Sequence, residues 1–114
     1  DARFFLDRVK DVFHCQCLMH NELLSRPIQS VAICGGSGDF LLSEAIAQEA
    51  DAFLTGEMRY HLYMGHEQEI QICVLGHYES EQYTIDLLAE VLHRQFPELK
   101  IVRTSLNTNP INYL

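Results

Sequence analysis

Three apolar runs in the middle of the chain each end in glycine: SVAICGG at residues 30–36, DAFLTG at 51–56 and IQICVLG at 70–76. Short apolar runs of this length read as buried strands, and a glycine at the end lets the backbone turn sharply into the next element. Helical patterns fill the gaps, with FLLSEAIAQEA over 40–50, a short helix within EMRYHLYMGHEQ at 57–68, and SEQYTIDLLAEVLHRQF over 80–96. The last of these places Ile85, Leu88, Ala89, Leu92 and Phe96 at helical spacing before Pro97 stops it. RFFLDRVKDVF, residues 3–13, carries Phe5, Val9 and Val12 or Phe13 at the same spacing, and KIVRTSL, 100–106, reads as a closing strand. Alternation of this kind requires right-handed crossovers. The expected fold class is therefore α/β, a layered sheet of at least four mainly parallel strands near 31–35, 52–55, 70–75 and 100–106 with flanking helices. The terminal NTNPINYL is turn-rich and ends in apolar residues expected to dock.

In an open α/β sheet, ligand groups gather beyond the carboxyl ends of the strands. GGSG (35–38), TGE (55–57) and GHYESE (76–81) all occupy that position and are expected to converge. His77 and Glu81 are four residues apart, so on a helix they reach the same spot, and imidazole plus carboxylate is half of a divalent-metal site. Glu57 and His61 repeat the spacing and are expected to face the same cleft, where either could assist proton transfer. The GGSG run lacks a Walker lysine and the full dinucleotide-binding spacing, so it reads first as a tight strand-to-helix turn, with Ser37 beside the cleft. HCQCLMH, residues 14–20, nominally offers four zinc ligands, yet its C-x-C spacing is short for a structural site. A strand with mixed faces is the plainer reading.

Composition removes several function classes. The 114 residues suit one domain, and 16 acidic against 8 basic side chains give a formal charge of −8, which repels phosphate backbones and anionic lipid. No nucleic-acid partner is expected. No apolar run approaches the roughly 18 residues a membrane span needs, so no membrane partner is expected either. Cys34 and Cys73 lie inside apolar runs, and together with Cys15 and Cys17 they read as reduced thiols of a cytoplasmic protein.

Taken in order, VAICGGSGDFL, ADAFLTGEMRYH, GHYESEQ and NTNPINYL make the chain similar to the C-terminal portion of the Nif-three-like family, homologues of type 2 GTP cyclohydrolase I. The resemblance implies a two-lobed α/β fold, a two-metal site between the lobes and a homo-oligomer in the form of a hexameric ring. It implies metal-ligating roles for His77 and Glu81, with zinc, manganese or iron as the ion and a metal-dependent hydrolase as the activity; a non-catalytic metal-binding or interaction scaffold is the alternative. Family members add a histidine pair and an aspartate from an N-terminal half. The expectation is thus a C-terminal fragment of a longer protein, inactive alone, holding metal weakly or not at all and associating at least as a dimer.

Overall fold

A computed structural model describes all residues 1–114. Its elements are α1 (Ala2–Phe13), β1 (Met19–His20), β2 (Val31–Cys34), α2 (Leu42–Ala47), β3 (Ala52–Thr55), β4 (Gln71–Val74), α3 (His77–Glu81) and α4 (Thr84–Gln95), with 3-10 turns at Asp39–Leu41 and Tyr60–Tyr63. The sheet runs β1-β4-β3-β2. The strands β2, β3 and β4 are parallel, with Ile33, Leu54 and Cys73 side by side in one row and Ala32, Phe53 and Ile72 in the next. Leu54 and Cys73 face one core and Ala32, Phe53 and Ile72 the other, as the pleat requires, while Ile33 at the sheet edge is exposed. Leu6 and Val9 of α1 pack with Cys15, Leu54, Cys73 and Leu75 on one face, while Leu42 and Ala45 of α2 pack with Phe53, Ile70, Ile72 and Val74 on the other. The two central strands β3 and β4 are buried at every position, which is why they are mostly apolar and not alternating, whereas the edge strand β2 leaves Val31 and Ile33 exposed.

The α/β class and the mainly parallel sheet stand; three elements differ from the sequence reading. The fourth strand is Met19–His20, antiparallel to β4, and not residues 100–106. No backbone–backbone hydrogen bond reaches beyond Leu99, so the β-prone KIVRTSL run is extended chain without a ladder. Strand propensity expresses itself only against a neighbour. The second difference is the helix expected over 80–96, which is split at Gln82–Tyr83 into α3 and α4. None of the apolar residues of α4 is buried, and Leu87, Leu88, Val91 and Leu92 remain 42–60% exposed. The HCQCLMH run is also less regular than a strand, since His14 caps α1 in the left-handed region at φ 52° and only its last two residues pair with β4. A radius of gyration of 16.2 Å, against about 13 Å for a compact chain of this length, reflects the projecting helix and tail.

A buried polar joint holds the short edge strand. Gln71 is fully buried in β4, and its amide donates to Asn21 Oδ1 at 2.8 Å while accepting the Leu24 backbone amide at 2.9 Å. Asn21 also accepts from Ile72 N and donates to Ile70 O, so its side chain extends the β1–β4 ladder by one more pair of bonds. At the opposite end, Asp51 accepts from the Gln29 and Ser30 amides and pairs with Arg26, pinning the entry into β2. All four cysteines are free, and burial pushes the Cys73 thiol up to about 12. No helix is long and apolar enough to cross a membrane.

Candidate metal centre at the strand ends

The loops leaving β2, β3 and β4 meet beyond the carboxyl ends of those strands. Their meeting point is the carbonyl of Gly36, which accepts from the Gly56 and Glu57 amides at 3.0 Å each and from the Thr55 hydroxyl at 3.2 Å. Ser80 completes the junction by accepting from Gly36 N at 2.9 Å and donating to His77 O at 2.8 Å. Gly36 needs to be glycine on two counts. Its φ is +63°, and a Cβ there would fall 2.5 Å from Glu81 Oε1 and 3.3 Å from His77 Nε2.

Three of the four residues singled out in the sequence come together over this junction. His77 opens α3 with Nδ1 2.9 Å from Glu57 Oε1 and Nε2 3.2 Å from Glu81 Oε2. The Ser37 hydroxyl donates to the second oxygen of Glu57. This bond, and then that of His77, hold the Glu57 carboxyl below its ordinary range, while Glu57 first and Glu81 second raise the imidazole above its usual value. Both groups are largely solvated, so these shifts describe local preference and little net stability.

His61 is not part of this group. It sits exposed in the 3-10 turn Tyr60–Tyr63, and the cavity over His77 is not lined by it. The i, i+4 rule presumes a helix from residue 57, whereas Glu57–Arg59 are irregular and Arg59 is extended at ψ 137°. The four-residue spacing therefore has no common face to act on. The His14, Cys15, Cys17 and His20 run likewise forms no site, since no group of three or more His, Cys, Asp or Glu side chains is placed to hold a metal ion.

That last observation also limits what His77, Glu57 and Glu81 can do alone. The two carboxylates lie on opposite nitrogens of one ring, and of the two pairs Nε2 with Glu81 is the wider. For that pair the chemistry fits a divalent ion. Ligand atoms of a tetrahedral zinc site, with bonds of about 2.0–2.1 Å, lie about 3.3 Å apart, close to the 3.2 Å between Nε2 and Glu81 Oε2. With an ion on Nε2, Glu57 at Nδ1 would be the outer partner that orients the ring. The donor set is half a coordination shell.

Above it lies a cavity of about 460 Å³ whose walls come from α3, α4 and the C-terminal segment, Ile85, Leu106, Pro110 and Ile111 among them. Ser80, Thr55 and Glu79 support this region and were not singled out in the sequence. Glu79 carried a signal all the same. It lies two residues from both His77 and Glu81, so on a helix it must point away from them, toward the body of the protein.

The sequence matches the profile of Duf34/NIF3 (NGG1p interacting factor 3) over residues 1–110. The chain belongs to the Duf34/NIF3 family. A GTP cyclohydrolase 1 type 2 homolog of Campylobacter jejuni is 35% identical over 108 residues, covering 94% of this chain and 42% of the relative. Its counterpart in Lactococcus lactis is 33% identical over 113 residues, covering 96% and 40%. Among solved structures, a Staphylococcus aureus protein superposes with a TM-score of 0.81 at 21% identity, over 99% of this chain and 34% of that one. A Bacillus cereus protein related to NIF3 superposes at 0.76 with 24% identity over 99% and 32%. At these identities the structures show the NIF3 fold. The chain spans about two fifths of the length of the curated relatives it matches.

Proposed function

We propose that this chain carries two ligands of a divalent-metal site, His77 through Nε2 and Glu81 through its carboxylate, and that the site works in a metal-dependent hydrolase once the rest of the shell is supplied. The carrying observation is the arrangement of the ring, with Nδ1 on Glu57 and Nε2 3.2 Å from a second carboxylate. The naming of the relatives as GTP cyclohydrolase 1 type 2 homologs supports the reading. Zinc, manganese and iron all suit imidazole and carboxylate donors. When bound, such an ion lowers the pKa of a coordinated water toward neutrality. The protein's own share is to orient and to exclude. Glu57, already engaged by His77 and Ser37, orients the imidazole; its bonding favours this role over the proton transfer also considered for it. Pro110, Ile111 and Leu106 dry one side of the cavity.

The other ligands belong, in this proposal, to the region by which the relatives exceed this chain. The apolar face of α4 is the surface left for that region, or for further copies in a homo-oligomeric ring, to cover. The absence of any three-donor cluster supports weak metal binding by the chain alone. Calorimetric titration of zinc and manganese into a polypeptide carrying this chain and the remainder found in its relatives tests the proposal. His77→Ala and Glu81→Ala should each lower affinity at least tenfold and abolish any phosphoester or purine-ring hydrolysis. Unchanged affinity in both would refute it. Full affinity loss with no turnover in the parent would leave the non-catalytic metal-binding scaffold as the function.

A further inference from the structure

The C-terminal segment walls the cleft without any backbone ladder to hold it there. Its order comes from side chains turned back on their own backbone. Thr104 Oγ1 accepts from Leu106 N at 3.2 Å, Asn107 Oδ1 from Asn109 N at 2.9 Å, and Asn109 Oδ1 from Ile111 N at 3.1 Å. These bonds shape the segment and do not dock it. Its polar ties to the body are an exposed Arg103–Asp86 pair and two partners at Glu79: Asn109 Nδ2, 3.1 Å from Oε1, and the Tyr113 hydroxyl, whose pKa is raised by burial and then by the Glu79 carboxyl.

Glu79 is an unusual place for a charge. It is 6% exposed, and its second oxygen, Oε2, is buried with no hydrogen-bond partner. The space for that oxygen exists because residue 76 is glycine at φ +107°: a Cβ there would lie 2.2 Å from Glu79 Oε2 and 3.1 Å from the Tyr113 hydroxyl. The carboxylate and the Tyr113 hydroxyl therefore crowd the same bare side of Gly76. A polar cavity of about 310 Å³, lined by His14, Asn107, Asn109 and Tyr113, adjoins Glu79 on this side, away from His77. A buried carboxylate with one satisfied oxygen is costly to keep and gains hydration as soon as the segment over it lifts. That combination suits a contact made to open.

We infer that Glu79 and Asn109 form a latch that holds the C-terminal segment as a movable wall of the cleft, so that Glu79 is a positioning residue acting on the site through the tail. Asn109 serves both ends, shaping the turn with its oxygen and docking it with its nitrogen, while Pro110 and Ile111 are carried to the cavity wall. The latch reaches the cleft directly: Asn109 and Ile111 line both the cavity beside Glu79 and the one over His77 and Glu81. That the walled space is the working cleft rests on the metal-site reading; that the tail is latched does not, so tail dynamics and metal stoichiometry fail separately.

The test exchanges donor and acceptor. Asn109→Asp keeps the oxygen that accepts Ile111 N but sets a second carboxylate against Glu79. The double variant Glu79→Gln, Asn109→Asp restores one donor and one acceptor with their order reversed. Hydrogen exchange at the Asn109 and Ile111 amides, the two that are bonded in this stretch, should quicken at least tenfold in Asn109→Asp and return to within about threefold of the parent in the double variant. Carbethoxylation of His77, followed by peptide mass, should be at least twofold faster in Asn109→Asp and recover with the swap. A fold defect in Glu79 variants would not show such rescue. Unchanged tail exchange in Asn109→Asp, or no rescue by the swap, overturns the latch; a loosened tail with His77 reactivity unchanged overturns its role as a wall.

Discussion

Gly36→Ala isolates the contact on which the site geometry depends. Placing Ala at φ +63° costs about 1–2 kcal/mol of backbone energy, whatever surrounds it. The added Cβ would also meet Glu81 Oε1 at 2.5 Å and His77 Nε2 at 3.3 Å. Glu81 Oε1 is the far end of a flexible, half-exposed side chain, so the carboxylate swings outward at little further cost and leaves His77 behind. Gly65→Ala is the matched control, because Gly65 has φ +81° and nothing lies within 4 Å of its Cβ position. The two variants should therefore lose similar stability, about 1–2 kcal/mol, which lowers the urea midpoint by about 0.5–1 M. They should differ at His77. Since Glu81 contributes to the raised imidazole pKa, an NMR titration of the His77 ring should move down in Gly36→Ala and stay in place in Gly65→Ala. An unmoved His77 titration in Gly36→Ala, or one lowered equally in Gly65→Ala, would refute the contact.

Further outcomes follow from the same geometry. Glu57→Gln should abolish most of the upward shift of His77, read by the same titration. The raised imidazole contributes stability that is full below 6.5 and lost as pH rises through its folded pKa. The depressed Glu57 carboxyl contributes stability that is full above 4.5 and lost as pH falls through its own. The stability difference between parent and Glu57→Gln, followed by urea melts, should therefore be largest between those values and shrink on both sides. Asn21→Ala strands Ile70 O, Ile72 N and a Gln71 amide proton in the buried joint, and at about 1–3 kcal/mol for each unpaired group it should cost at least about 3 kcal/mol by chemical denaturation. Leu88→Glu with Leu92→Glu, on the uncovered face of α4, should reduce self-association seen by light scattering while leaving the melting temperature nearly unchanged.

The parts of the fold legible in the sequence are those whose signal is local. Val31–Cys34, Ala52–Thr55 and Gln71–Val74 lie inside the glycine-terminated runs, because a short, mainly apolar run bounded by a turn residue is a local strand signal whether the strand is central, as β3 and β4 are, or at the edge, as β2 is. Of the strand with mixed faces read over residues 14–20, only Met19–His20 pairs, and its place at the sheet edge was not legible. Two exposed residues carry no periodicity, and their pairing is imposed by β4 and prolonged by the Asn21 side chain. KIVRTSL misled for the opposite reason, having the composition of a strand with no neighbour in this chain. In the candidate site, the convergence of GGSG, TGE and GHYESE followed from topology alone and is seen in the bonds to Gly36 O and Ser80. The grouping of His61 failed because it assumed helix where the backbone is extended. For Glu79 the spacing gives only its inward direction; its contact with Asn109, thirty residues later in the chain, is a tertiary fact.

The most direct test of the metal reading is the nitrogen-15 spectrum of the His77 ring during a zinc titration, in a polypeptide carrying this chain and the remainder found in its relatives. Before metal, Nδ1 should be protonated and bonded to Glu57. On addition of zinc, the Nε2 resonance should move to a metal-bound position while Nδ1 keeps its proton, and Glu81→Ala should weaken the response at least tenfold. Zinc binding that leaves the His77 ring unchanged, or that takes Nδ1 in place of Nε2, would contradict the assignment of His77 and Glu81 as ligands.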